Sequence, residues 1–183
     1  AEIVYETREL LCTLFGGMDC KNVVFTKNAT ESLNILLKGF LRPGDHVLVS
    51  SMEHNAVMRP LVQLAQHGVS FSRIPCTGDG QLKCDSMERL LTPRTRAVVL
   101  THASNVCGTL LPLEEVGAFC KRNKLRFFVD SAQTAGVWPI HMEEMQIDAL
   151  AFTGHKGLLG PQGIGGFLLR EDLICQIEPL LSG

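Results

Sequence analysis

Short apolar runs alternate with stretches of helical periodicity along this chain. Apolar residues at helical spacing (Ile3, Val4, Leu10, Leu11, Leu14) predict a helix over residues 3–15, with Gly16-Gly17 as its stop. Residues 23–26 are a β-branched run and read as a strand. Residues 32–41 return to helical spacing, with Asn28 or Thr30 as the candidate cap. After a turn at Arg42-Pro43-Gly44-Asp45, residues 46–50 predict a strand. A helix is expected over 55–67, its first part weakened by Pro60, and a strand over 69–74. A turn at Thr77-Gly78-Asp79-Gly80 leads to a short helix over 85–91. Strands follow over 97–101, 125–129, 149–153 and 165–170, with helices over 112–122 and 171–181. Strands that are continuous apolar runs, interleaved with helices, predict an α/β fold. Its sheet is mostly parallel and sandwiched by helices on both faces.

In such a sheet ligands bind at the carboxyl ends of the strands. The conspicuous polar residues lie there. Thr26-Lys27-Asn28-Ala29-Thr30 follows one strand, Glu53-His54-Asn55 the next, and His102-Ala103-Ser104-Asn105 a third. Asp130-Ser131-Ala132-Gln133 and Thr153-Gly154-His155-Lys156 follow two more. Five strand ends facing one pocket are stronger evidence than any single motif.

Composition narrows the function classes. Of 183 residues, 45% are hydrophobic and 20% charged, which is ordinary for one globular domain. Lys and Arg number 17 against 19 Asp and Glu, a net charge of −2, so nothing points to nucleic acid or a membrane surface. No apolar segment approaches the ~20 residues of a membrane span. The seven cysteines (12, 20, 76, 84, 107, 120, 175) have no C-x-x-C spacing and mostly lie in apolar runs. They read as buried reduced thiols in a cytoplasmic protein, with no metal site. There is no initiator methionine, and no capping element follows Leu180-Leu181-Ser182-Gly183. Residues 1–183 are therefore expected to be the interior of a longer protein.

The chemistry centres on Lys156, which sits between His155 and the glycine-rich Gly157-Leu158-Leu159-Gly160-Pro161. A lysine and an aspartate at the ends of two buried strands suit pyridoxal phosphate (PLP). The amine forms a Schiff base with the aldehyde, and the carboxylate keeps the ring nitrogen protonated. Lys156 as an ordinary surface lysine and Asp130 as a helix cap are the competing readings. The opening of the helix after Asn28 offers free N–H groups and a dipole end to a phosphate, with Ala29 and Thr30 in place. Simple capping is compatible with that role. His54 competes as a cap or surface histidine, Gln133 as a helix-start residue, and Asn105 as a turn residue before Gly108. Gly160 to Gly166 lacks the G-x-G-x-x-G order and the lysine of a P-loop, so it reads as a turn that holds Lys156.

The motifs together resemble a known family. Asn28-Ala29-Thr30-Glu31, Met52-Glu53-His54-Asn55, His102-Ala103-Ser104-Asn105-Val106-Cys107-Gly108, Val129-Asp130-Ser131-Ala132-Gln133 and Thr153-Gly154-His155-Lys156 occur in register. Their order and spacing are similar to those of the class V aminotransferase family of PLP-dependent enzymes, over roughly 23–183. The cysteine desulfurase and selenocysteine lyase branch looks closest. The resemblance implies the large, cofactor-binding domain of the type I PLP fold. It casts Lys156 as Schiff-base lysine and proton shuttle, Asp130 as partner of the ring nitrogen, and His54 as a catalytic residue stacked on the ring, where it can help with proton transfer. Gln133 would lie at the ring hydroxyl, Asn105 near the ring hydroxyl and the substrate carboxylate, and Ala29, Thr30, Thr153 and His155 at the phosphate. It further implies a homodimer acting on cysteine or selenocysteine, with a sulfur-acceptor protein as a possible partner. The sulfur-accepting cysteine, the carboxylate-gripping arginine, the N-terminal segment and the small C-terminal domain would lie outside this chain. Cys107 occupies a variable position of its motif and is not expected to be that thiol. A class V aminotransferase or β-lyase shares the same ring-binding residues, and a non-catalytic PLP-fold module is the alternative of another class.

Overall fold

Successive residues of the central strands bury against opposite faces, which is why these strands read as unbroken apolar runs. Leu48, Val98, Leu100, Phe127 and Val129 enter one core with Phe15, Val116 and Phe119. Their strand neighbours Val47, Val49, Val99 and Phe128 enter a second core with Leu33, Leu37, Val57 and Leu61. In this computed structural model, residues 2–180 are described. The strands are β1 (Val23–Thr26), β2 (His46–Ser50), β3 (Ser70–Ile74), β4 (Thr95–Thr101), β5 (Arg126–Asp130), β6 (Ala149–Thr153) and β7 (Gly165–Leu169). The helices are α1 (Glu2–Leu14), α2 (Ala29–Phe40), α3 (Asn55–Ala65), α4 (Met87–Leu90), α5 (Leu113–Arg122) and α6 (Glu171–Ile174).

One seven-stranded sheet runs in the order β1-β7-β6-β5-β4-β2-β3. All pairs from β3 to β6 are parallel, and β7 is antiparallel to both β6 and β1. The expected mostly parallel, mixed sheet is therefore present, and the ends of β1, β2, β4, β5 and β6 face the same way.

Several boundaries differ from the sequence reading, each for a local reason. The side chain of Asn28 caps α2, accepting from the Glu31 N–H at 2.9 Å, so the helix begins at Ala29 and Thr30 lies within its first turn. Pro60 stays inside α3, because its missing N–H removes only one bond, to the Ala56 carbonyl, and its ring is buried. The helix expected over 171–181 stops at Ile174. Pro179 disfavours helical backbone at Glu178, whose N–H instead donates to the Gly39 carbonyl at 2.9 Å. Leu181 lies outside the described residues. The apolar positions of α1 are not a core stripe: Ile3 is 77% and Leu10 71% exposed, while Leu11 is buried. The cysteine expectation is also corrected. Only Cys12 and Cys120 are buried, Cys107 and Cys175 are exposed, and all seven are free.

Candidate functional site

The nine residues singled out from the sequence line one cleft of about 230 Å³ at the carboxyl end of the sheet. Size alone does not mark it. A groove of about 570 Å³ beside Trp138 is larger, but it lacks a comparable convergence of strand ends. Register explains the meeting of the key pair. β5 and β6 are parallel neighbours with Asp130 opposite Ala151, so the segments leaving both strands start at nearly the same level.

Asp130 ends β5 and is 3% exposed. Its Oδ1 accepts the Ala132 N–H at 2.9 Å, and among the described residues no hydrogen bond engages Oδ2. Burial raises its pKa, while the Ala132 N–H and the charges of His54 and Lys156 oppose that rise. A buried carboxylate with a free oxygen turned to a cleft is suited to a cationic N–H. No helix follows it. Residues 131–137 form successive turns held by Thr134 and Ala135 N–H groups on the Ser131 carbonyl, and Gln133 reaches the cleft from this turn.

Lys156 follows β6 in a tight loop. The Gly154 N–H donates to Ile164, the Gly160 N–H to Gly154, and the Leu159 N–H to Lys156 itself. The loop is wedged against the segment after Asp130. A Cβ on Gly157 would lie 2.4 Å from the Ala135 carbonyl oxygen and 2.3 Å from Val137, so only glycine fits. The glycine-rich stretch thus holds Lys156, as expected, by docking it on the Asp130 turn.

The remaining groups arrive from the other strand ends. At the start of α2, Glu31 and Ser32 donate to Asn28, while the Ala29 and Thr30 N–H groups have no acceptor among the described residues. Two free N–H groups, the helix dipole and the Thr30 hydroxyl make a place for an anion. Thr153, 3% exposed, shares a 3.1 Å hydrogen bond with His155 Nδ1 on the same wall. His54 is both a cap and a cleft residue: its Nδ1 accepts the Ala56 N–H at 3.1 Å, leaving the exposed ring free to face the cleft. Asn105 is exposed and lines the cleft from the loop after β4.

Other residues at or beside the cleft have no role assigned from the sequence, although His102 and Ala103 lie in one of its motifs. Thr101 and Ala103 line the cleft, and the Thr101 hydroxyl donates to the Ala103 carbonyl at 2.9 Å. His102 is buried, shares a 2.9 Å hydrogen bond with Thr134, and is held neutral because burial lowers its pKa to about 4. Glu53 lies in a recognised motif, but its burial at the carboxyl end appears only in three dimensions.

Known proteins share this fold. The sequence model of the family described as Aminotransferase class-V matches residues 1–183. A probable cysteine desulfurase of Aeropyrum pernix is 38% identical over 184 residues, covering 97% of this chain and 44% of that protein. The apo structure of a cysteine desulfurase from Thermococcus onnurineus superposes with a TM-score of 0.93 at 31% identity, covering 100% of this chain and 46% of that one. The cystine C–S lyase C-DES, seen with its reaction product cysteine persulfide, has a TM-score of 0.89 at 30% identity, covering 100% of this chain and 50% of that one. A C-DES mutant has been seen with glycine covalently linked to its PLP cofactor. The chain spans less than half the length of the curated relatives it matches, from 34% of one to 46% of another. The expected type I fold of PLP-dependent enzymes is the fold of these neighbours. A match that runs from the first residue to the last, on a shared fold at this level of identity, means that the chain belongs to the class V aminotransferase family.

Proposed function

We propose that this chain is the PLP-binding part of a cysteine desulfurase, which takes sulfur from L-cysteine and leaves L-alanine. The observation that carries the reading is the convergence of Lys156, Asp130 and the free N-terminus of α2 in one cleft. The relatives named cysteine desulfurase and the PLP-bound C-DES support it. The residues fit the cofactor. Free N–H groups with hydroxyls suit a phosphate, a buried carboxylate suits a ring N–H⁺, and an amine stands on the neighbouring strand end. When bound, PLP supplies an aldehyde for an amine and a ring that stores the electrons released at the substrate α-carbon.

The chain's own residues then have defined tasks. The Ala29 and Thr30 N–H groups, the Thr30 and Thr153 hydroxyls and His155 hold the phosphate. Asp130 holds a proton at the ring nitrogen. Exposed His54 would cover a ring face, and Asn105 and Gln133 would orient the ring hydroxyl. Lys156 Nζ would hold the cofactor's aldehyde carbon and would accept and return the α-proton. The sulfur-accepting thiol and the arginine for the substrate carboxylate belong to other parts of a longer protein, which acts as a homodimer and passes sulfur to an acceptor protein. Selenocysteine is a second substrate of the same chemistry. The setting is a reducing cytoplasm, which cell fractionation tests.

Reconstitution with PLP, borohydride reduction and peptide mapping tests the central assignment. The pyridoxyl group is expected on Lys156, and its recovery on another lysine would sink the reading. The lyase C-DES favours a second outcome, β-elimination. Alanine with persulfide supports the desulfurase, and pyruvate with ammonia supports the lyase.

A further inference from the structure

Beneath the cleft lies a second carboxyl group without an assigned role. Glu53 precedes His54 on the loop between β2 and α3. As a whole residue it is half-buried, yet its carboxyl end is enclosed. Glu53 Oε1 accepts from the Ser50 hydroxyl at 2.5 Å and from the Thr101 N–H at 2.9 Å. Ser50 ends β2, and Thr101 ends β4 opposite Asp130 in register. One oxygen thus ties the loop that carries His54 to the strand end beside Asp130. The other, Oε2, is buried with no hydrogen-bond partner. An ionised carboxylate cannot cheaply leave one oxygen bare in an enclosed site.

We propose that Glu53 is a positioning residue of this site: as a neutral carboxylic acid it fastens the His54 loop to β4 and leaves Asp130 as the ionised member of the pair. The inference rests on the PLP-binding reading. Two carboxyls this close under one cleft divide the charge between them, and the proton goes to the one with less compensation. Asp130 faces the charge of Lys156, from the loop after β6, lies beside the His54 ring, from the loop after β2, and accepts the Ala132 N–H. Glu53 has only its two donors to Oε1, and Asp130 stands as a like charge beside it. Burial accordingly pushes Glu53 up to about 8, and Asp130 adds to the rise.

The test uses the full-length protein with Glu53→Gln and Glu53→Leu, each checked for folding by circular dichroism. Glu53→Gln keeps an acceptor for Thr101 and Ser50 and is neutral at every pH. PLP affinity within about twofold of wild type, with the same visible band, is expected. Glu53→Leu orphans both donors and frees the His54 loop, and a roughly tenfold loss of PLP affinity is expected. A glutamine variant as impaired as the leucine one would overturn the neutral-acid role, and a leucine variant equal to wild type would overturn positioning. A second readout does not need the cofactor. Carboxyl ¹³C NMR of Glu-labelled apo protein, with Glu53→Gln for assignment, should find Glu53 protonated at pH 7, and ionisation below pH 6 refutes the proposal. If wild type binds no PLP, the cofactor reading fails while the NMR result still decides the state of Glu53.

Discussion

Replacing Asp130 by Asn separates the two things this carboxylate does. Asparagine has the same shape and can still accept the Ala132 N–H that Asp130 now accepts at 2.9 Å. What is lost is the charge. A hydrogen bond to a charged group contributes about 1.5–3 kcal/mol, so PLP affinity should fall about 10- to 150-fold. The ring nitrogen loses an opposite charge within reach, which lowers its pKa by about 1–3 units and the protonated fraction by about 10- to 1,000-fold. At saturating PLP, cysteine desulfuration by the full-length protein should fall by that second factor. Stability should move the other way. Burial raises the folded-state pKa of Asp130. The fold therefore favours the protonated form, and the stability this gives is present below the ordinary carboxylate range and lost as pH rises through the raised value. Above that raised value the buried charge is a burden, so there apo Asp130→Asn should melt at or above the wild-type temperature, with the gain vanishing in acid. Calorimetry on apo protein and an alanine assay at saturating PLP measure the two arms. A variant with wild-type turnover at saturating cofactor would refute the pairing of Asp130 with the ring nitrogen.

Three further outcomes follow from the same geometry. Gly157→Ala drives a Cβ to 2.4 Å from the Ala135 carbonyl oxygen, so urea denaturation should show a loss of about 1–3 kcal/mol, with weaker trapping at Lys156. Asn28→Ala removes the cap of α2, and should cost about 1 kcal/mol in the same denaturation and weaken PLP binding, because the free N–H groups sit in the turn that frays. Glu53 is raised from 4.5 to about 8 and His102 lowered from 6.5 to about 4, so they act oppositely in acid. Between about pH 6.5 and 8 Glu53 acts without His102, and apo stability should fall as pH rises there, a slope that Glu53→Gln flattens.

The sequence made the strand ends legible because β2, β4, β5 and β6 are unbroken apolar runs whose last polar residues stand out. That pattern places Lys156, Asp130, His54 and the α2 start at strand ends, and the family resemblance supplies their roles. Glu53 was not legible in the same way. A glutamate beside a histidine after a strand has the look of a solvated turn, and only the register of Thr101 with Asp130 encloses its carboxyl end. The short α6 was missed because Pro179 acts on Glu178, whose alternative partner, the Gly39 carbonyl, is far off in sequence. Periodicity did place α1, expected over 3–15 and found over Glu2–Leu14, but it did not foresee how exposed its apolar residues are. Helical spacing reports an apolar face, not whether anything within the chain covers it.

The one reversed strand shapes the site as much as the parallel ones do. Because β7 runs against β6 and β1, its first residue, not its last, lies at the cleft end of the sheet. Gly165 opens β7 opposite both Thr153 and Thr26. A Cβ there would lie 2.6 Å from Asn28 Cα and 2.8 Å from the Phe152 carbonyl oxygen. The absent side chain lets the start of α2 pack down onto the end of β6, which brings the anion-ready N-terminus onto the wall that carries Thr153. The lysine turn and the helix start are thus joined through a strand that contributes no functional side chain of its own.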